Sequence, residues 1–196
     1  MPLSTYDDIA PHYDEAMGRL ERWLFPGLRA EALSRLPDRA RILEVGAGTG
    51  LNFVFYPPQA TGVATEPNQE MLKLARAKQT RQITLVQNNA EQLPFANGAF
   101  DAAFATLVFC SVRSPALAFQ ELTRVVRKGG RVIVLEHVRP NGFLGPVFDL
   151  LNLLTVPLFD DHFNRRTAEV ARSSGLKVVN IEKRARGIIN LIACEV

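Results

Sequence analysis

Cysteine is scarce in this chain, with Cys110 and Cys194 the two copies among 196 residues. Both lie in apolar runs, so they read as buried strand residues of a protein kept in a reducing, cytoplasmic setting. A strong excess of one charge is also missing: 23 Lys and Arg stand against 20 Asp and Glu, a formal charge of +3 without a dense run. That argues against a nucleic-acid partner, while peripheral contact with an anionic membrane stays compatible. The first ten residues contain Asp7 and Asp8 and no apolar stretch, so no secretory signal is expected. The longest apolar tract, Phe143 to Phe159, is interrupted by Pro146, Asp149, Asn152 and Pro157 and falls short of a membrane span. No group of His, Cys, Asp and Glu has metal-ligand spacing, and no metal is expected. With 47% apolar residues, one domain around one sizeable core is expected.

What is present is an alternation of strand-like and helix-like runs, which implies a largely parallel α/β sheet. Asp14 to Leu36 places Leu20, Trp23, Leu24, Leu28 and Leu33 at near-helical spacing, broken at Pro26-Gly27, and so predicts two amphipathic pieces ahead of the sheet. Strands are predicted at 41–45, 61–65, 83–87, 99–106 and 131–136. Helices are predicted to begin near Leu51, to run over 68–78 with Pro67 in the first turn, and to run over 115–126 with a glycine stop at Lys128-Gly129-Gly130. A helix over 165–173 and strands over 176–182 and 188–195 follow, the last two forming an antiparallel hairpin at one sheet edge.

The chemistry concentrates after the first strand. Glu44-Val45-Gly46-Ala47-Gly48-Thr49-Gly50 combines a tight glycine turn with a backbone that a ligand can approach closely. Glu66 closes the second strand about twenty positions later, where a carboxylate can accept hydrogen bonds from two ribose hydroxyls. A dinucleotide fingerprint requires Gly or Ala at the sixth loop position, and Leu51 stands there, which disfavours NAD. Glu44 is expected to order the loop and attract a cationic amino group.

At these residues the chain resembles the class I S-adenosylmethionine-dependent methyltransferases of the type 11 group. Leu43 to Gly50 is similar to their first motif, Glu66 to their ribose-binding acid, and Asn89-Ala90-Glu91-Gln92-Leu93-Pro94-Phe95 to their adenine-side loop. Phe100-Asp101 looks like their fourth strand, and Arg127-Lys128-Gly129-Gly130 like the turn before the fifth. The family often carries Asp where Asn89 stands, so contact with the adenine amino group would run through an amide oxygen. The resemblance implies a Rossmann-like, doubly wound, mostly parallel seven-stranded sheet with helices on both faces, and S-adenosylmethionine as cofactor. It also implies a site built from Tyr6, Tyr13, Glu44, Gly46, Ala47, Gly48, Glu66, Pro67, Asn89, Ala90, Glu91, Thr106 and Leu107.

Tyr6 to Asp14 resembles the opening of quinone-biosynthesis C-methyltransferases and bacterial phospholipid N-methyltransferases. Phe53 to Pro58, Thr106 to Val112 and Leu135 to Val138 look closer to membrane-associated thiol methyltransferases. Residues 1–36 are therefore expected to act as a helical flap, and 137–163 as an insertion on the acceptor side whose apolar side chains select a small, lipophilic substrate. His137 and Tyr13 are the candidate catalytic side chains, His137 because a histidine at the carboxyl edge of such a sheet can act as a base. His162 beside Asp160 and Asp161 reads as a solvated loop residue. The alternatives are a non-catalytic S-adenosylmethionine-binding module and an NAD-dependent oxidoreductase.

Overall fold

A computed structural model describes residues 13–15, 18–19, 27–140, 145–146, 148–150, 152–153, 162 and 164–196. Apolar, β-branched runs form seven strands: β1 (Arg41–Val45), β2 (Thr61–Glu66), β3 (Ile83–Gln87), β4 (Phe100–Thr106), β5 (Val126–His137), β6 (Lys177–Arg184) and β7 (Ile189–Glu195). They pair in one sheet of order β3-β2-β1-β4-β5-β7-β6. The pairs from β3 to β5 are parallel, with Glu44 between Ala64 and Phe104 in register. β7 runs antiparallel to both β5 and β6, which is the edge hairpin expected from the sequence.

Helices cover both faces, as the Rossmann-like reading requires. α1 (Leu28–Leu33) and α2 (Gln69–Lys78) belong to one face, where Leu33, Ile42, Ala75, Phe104 and Ile133 share a buried cluster. α3 (Pro115–Val125) and α4 (Thr167–Ser173) belong to the other, with Phe119, Leu122 and Ala171 against Leu43, Val45, Ala103 and Val132. Residues 42, 43, 44 and 45 thus alternate between two dry layers, and all four are buried.

Several local expectations need correction. After the glycine loop there is only a 3-10 turn, Phe53–Phe55, and no α-helix starting near Leu51. Pro57 and Pro58 end the segment before a second turn can form. Pro67 lies one residue before the N-cap of α2 rather than in its first turn; Asn68 is the cap, and its side chain accepts from Met71 N at 2.8 Å. Lys128-Gly129-Gly130 does not stop α3, because β5 begins at Val126. Register runs from Phe100 opposite Val126 to Ala102 opposite Arg131, so the extra β5 residues bulge out around Gly129, at φ +73. Cys110 occupies a turn after β4 rather than a strand, while Cys194 lies in β7; both are buried.

Candidate active site

The carboxyl ends of β1, β2 and β4 open on a cavity of about 390 Å³. It sits at the sheet's switch point, where order reverses between β1 and β4. The loop after β1 is stitched to β2. Gly46 N and Ala47 N both donate to Thr65 O at 2.9 Å, Gly48 N donates to Glu66 Oε2 at 2.9 Å, and Gly50 N donates to Ala47 O at 2.9 Å. These four amides are committed within the protein and fix the loop against β2. Gly46 and Gly48 both take positive φ, and a Cβ on Gly46 would come within 2.5 Å of Val108 Cγ2.

Glu66 faces the cavity with 7% of its surface exposed. One oxygen accepts from Gly48, and the other accepts from Asn68 N at 2.9 Å, leaving lone pairs for a ligand. Burial pushes its pKa up, against the lowering effect of the two backbone donors.

Glu44 lies elsewhere. It is completely buried, accepts from Asn52 Nδ2 at 2.6 Å and from Tyr56 OH at 2.8 Å, and is absent from the cavity wall. Strand alternation turns it inward on the Ile42 side, so it orders the loop from beneath and does not meet a ligand. Desolvation raises its pKa to about 7. Asn52 also bonds Thr106 Oγ1 at 2.9 Å, and Arg29 reaches both, donating to Asn52 Oδ1 at 2.8 Å and to Thr106 Oγ1 at 2.6 Å. Arg29 is a cavity residue that the sequence reading missed.

Tyr13, Pro67, Ala90, Thr106 and Leu107 line the cavity. Leu107 holds φ 56, anchored by its N–H to Leu135 O at 2.8 Å. Tyr6 lies outside the described residues. Asp14, next to Tyr13, accepts from the Thr49 hydroxyl and pairs with Lys78, which ties the N-terminal segment to the loop and to α2.

Asn89 and Glu91 also line the cavity, each with one oxygen already in an internal hydrogen bond. Asn89 Oδ1 accepts from Glu91 N at 3.1 Å, and Glu91 Oε1 from Ser114 N at 2.8 Å. The neighbouring Asn88 presents a buried amide oxygen with no hydrogen-bond partner among the described residues.

His137 is not among the cavity-lining residues. It ends β5 with Nε2 3.9 Å from Glu136 Oε1. Glu136 is held beneath the turn after β4 by the amides of Val108, at 2.9 Å, and Phe109, at 2.7 Å. The expected base therefore stands outside the wall, because the turn after β4 supplies that side of the cavity through Leu107 and Val108. Cys110, Glu136 and His137 bring one donor atom each to within 4.8 Å of one another, a proximity the linear spacing did not reveal.

Residues 43–134 match the family model of the methyltransferase domain. The chain is 32% identical over 136 residues to thiol S-methyltransferase TMT1B of Homo sapiens, covering 66% of this chain and 55% of that protein. It is 33% identical over 143 residues to demethylmenaquinone methyltransferase of Renibacterium salmoninarum, covering 70% of this chain and 59% of the relative. The chain thus spans little more than half the length of these two curated relatives. A solved S-adenosylmethionine-dependent methyltransferase of Thermotoga maritima superimposes with a TM-score of 0.74 at 23% identity, covering 97% of each chain. Residues 43–134 therefore carry a methyltransferase domain, on the fold of solved S-adenosylmethionine-dependent methyltransferases.

Its cofactor is S-adenosylmethionine, and the methyltransferase cavity fits that molecule at three points. Glu66 offers paired acceptor oxygens for two hydroxyls. Asn88 Oδ1, buried without a partner, suits an amino donor such as that of adenine. Arg29 carries positive charge at the wall near Thr106, where a carboxylate of the methionine end can be met. Arg29 was detectable as the one cation on the buried stripe formed by Leu28, Ala32 and Leu33.

Proposed function

We propose that the protein moves the methyl group of S-adenosylmethionine to a small, lipophilic acceptor. The observation that carries this reading is Glu66, buried at the end of β2, fixed by Gly48 and Asn68, and facing a cavity of about 390 Å³. When bound, the cofactor supplies an activated methyl on a sulfonium, so the protein's task is alignment and exclusion of water. Glu66 and Asn88 hold the nucleoside end, Arg29 holds the carboxylate, and Leu107 and Val108 wall the side from which an acceptor approaches. The segment around Tyr13 and Asp14 acts as the flap, a reading supported by Tyr13 at the cavity and by Asp14 on Thr49 and Lys78, while α1 packs in the core and has no part in it. Tyr13 is the aromatic contact that closes with that flap. His137 stands outside the wall, so no proton transfer is assigned to it, and alignment alone serves a thiolate or a neutral amine.

Lipophilic selection rests on residues 137–163. Leu150 and Leu153 in that segment are 66% and 69% exposed. Each acceptor methylene buried against such side chains contributes about 0.8 kcal/mol. The related proteins are named for a thiol and for demethylmenaquinone, both compatible with an apolar acceptor, although none of the described residues of 137–163 lines the cavity itself. No helix among the described residues is long and apolar enough to cross a membrane, and we read the protein as cytoplasmic with peripheral membrane contact through these leucines. The test is methyl-labelled cofactor offered with alkyl thiols of increasing length, quinone precursors and phosphatidylethanolamine. Label should enter an acceptor with a preference that grows with chain length and falls in Leu150→Gln/Leu153→Gln. Binding of the cofactor without label transfer to any acceptor class would favour a non-catalytic binding module.

A further inference from the structure

A second recess, of about 440 Å³, is bounded by Val138 and Arg139 after β5, by the start of α4 and by the β6–β7 connection. Its wall carries Arg139, Arg165, Arg166, Arg172 and Lys183 against the single carboxylate of Glu169. Part of this charge is used internally. Arg139 is paired with Asp149 at 2.8 Å, Arg166 meets Glu169 at 3.4 Å, and Arg165 donates to the carbonyls of Phe109 and Val112. Arg172 and Lys183 have no carboxylate partner among the described residues.

Two neutral groups point the same way. The Thr167 hydroxyl and the Asn190 amide oxygen are buried, in residues 2% and 8% exposed, and neither has a hydrogen-bond partner among the described residues. Both residues line this recess. Buried polar atoms are nearly always paired, so two unpaired ones in a cationic recess mark a place for a ligand that hydrogen-bonds. We infer that the recess binds a phosphate ester. A tetrahedral phosphate carries enough oxygens to accept from the Arg172 fork, the Lys183 ammonium and the Thr167 hydroxyl together, whereas a carboxylate has only two, and a hydroxyl of the esterified group can donate to the Asn190 amide oxygen. Arg165 connects this site to the methyltransferase cavity, since it lines the recess and holds Val112, a cavity residue. The phosphate belongs either to a soluble phosphorylated molecule or to a lipid headgroup at a bilayer.

The test reads binding rather than turnover, so its outcome is independent of the methyl-transfer reading. The full chain is titrated with inorganic phosphate and with glycerol 3-phosphate in a calorimeter, and floated with phosphatidylcholine vesicles with and without phosphatidic acid. The same is done for Arg172→Gln/Lys183→Gln and for Thr167→Val, with S-adenosylhomocysteine affinity as the control for folding. Saturable phosphate binding is expected in the parent chain, weakened about tenfold or more by the double substitution and less by Thr167→Val. Affinity for S-adenosylhomocysteine should be unchanged. Tight glycerol 3-phosphate binding without flotation identifies a soluble ligand; flotation only with phosphatidic acid, lost in the double variant, identifies a headgroup. Absence of binding to all the phosphate probes, or binding that survives the double substitution, overturns the proposal.

Discussion

Gly48 donates its backbone N–H to Glu66 Oε2 at 2.9 Å, so the loop after β1 and the acid that ends β2 form one unit. Gly46 and Gly48 serve that unit differently. A methyl at Gly46 would meet Val108 Cγ2 at 2.5 Å as well as the strain of φ +70, whereas one at Gly48 would meet nothing within 4 Å and only the strain of φ +55. Gly46→Ala should therefore cost about 2–4 kcal/mol and Gly48→Ala about 1–2 kcal/mol. Urea unfolding measures both, and the reverse ranking would contradict the loop's packing.

Glu44 makes stability depend on pH. Burial raises its folded-state pKa from the ordinary 4.5 to about 7. Between those values the folded protein keeps a proton that the unfolded chain releases. Its contribution is therefore fully present at or below pH 4.5 and is lost as pH rises through 7, a difference of about 3 kcal/mol. Glu66, also raised, adds in the same direction. Glu44→Gln should flatten the fall in unfolding free energy between pH 5 and pH 8; an unchanged slope would place the titrating group elsewhere.

The difference between Glu44 and Glu66 shows how far sequence could reach. Both are strand-end acids beside a glycine loop, and spacing alone made both ligand contacts. Glu66 faces the cavity, but Glu44 shares the inward face of β1 with Ile42, a distinction that follows strand alternation against a packed layer and not motif position. The strands and the closing hairpin were legible because apolar runs alternate with amphipathic ones. The helix near Leu51 was not: only the short distance between Gly50 and Pro57 forbids it. His137 failed as a cavity residue because the turn after β4 covers that end of β5, a tertiary effect without a local signal. Arg29 and Asn88 left signals, one as a cation on an apolar stripe and the other beside the motif residue Asn89.

Asn88 should read the adenine amino group. The parent chain is expected to bind S-adenosylhomocysteine about tenfold more tightly than S-inosylhomocysteine, whose base carries an oxygen at that position. Asn88→Ala should lose most of that preference and Asn89→Ala should keep it. Competition binding with the two nucleosides decides, and loss in Asn89→Ala alone would return the contact to the motif position.

Arg29 should act on the amino-acid end of the cofactor. Arg29→Gln is expected to weaken S-adenosylhomocysteine by roughly 1.5–3 kcal/mol while leaving 5′-methylthioadenosine, which lacks the carboxylate, within about twofold. Equal loss for the two ligands would mean that Arg29 supports the loop through Asn52 and Thr106 and holds no carboxylate.

Calorimetry of the full chain and of Glu66→Ala with S-adenosylhomocysteine and with NAD addresses the central claim most directly. S-adenosylhomocysteine should bind the parent chain, NAD should give no heat of binding, and the substitution should reduce the first affinity by about 1.5–3 kcal/mol. Binding of NAD in place of S-adenosylhomocysteine, or an affinity indifferent to Glu66, would contradict the account.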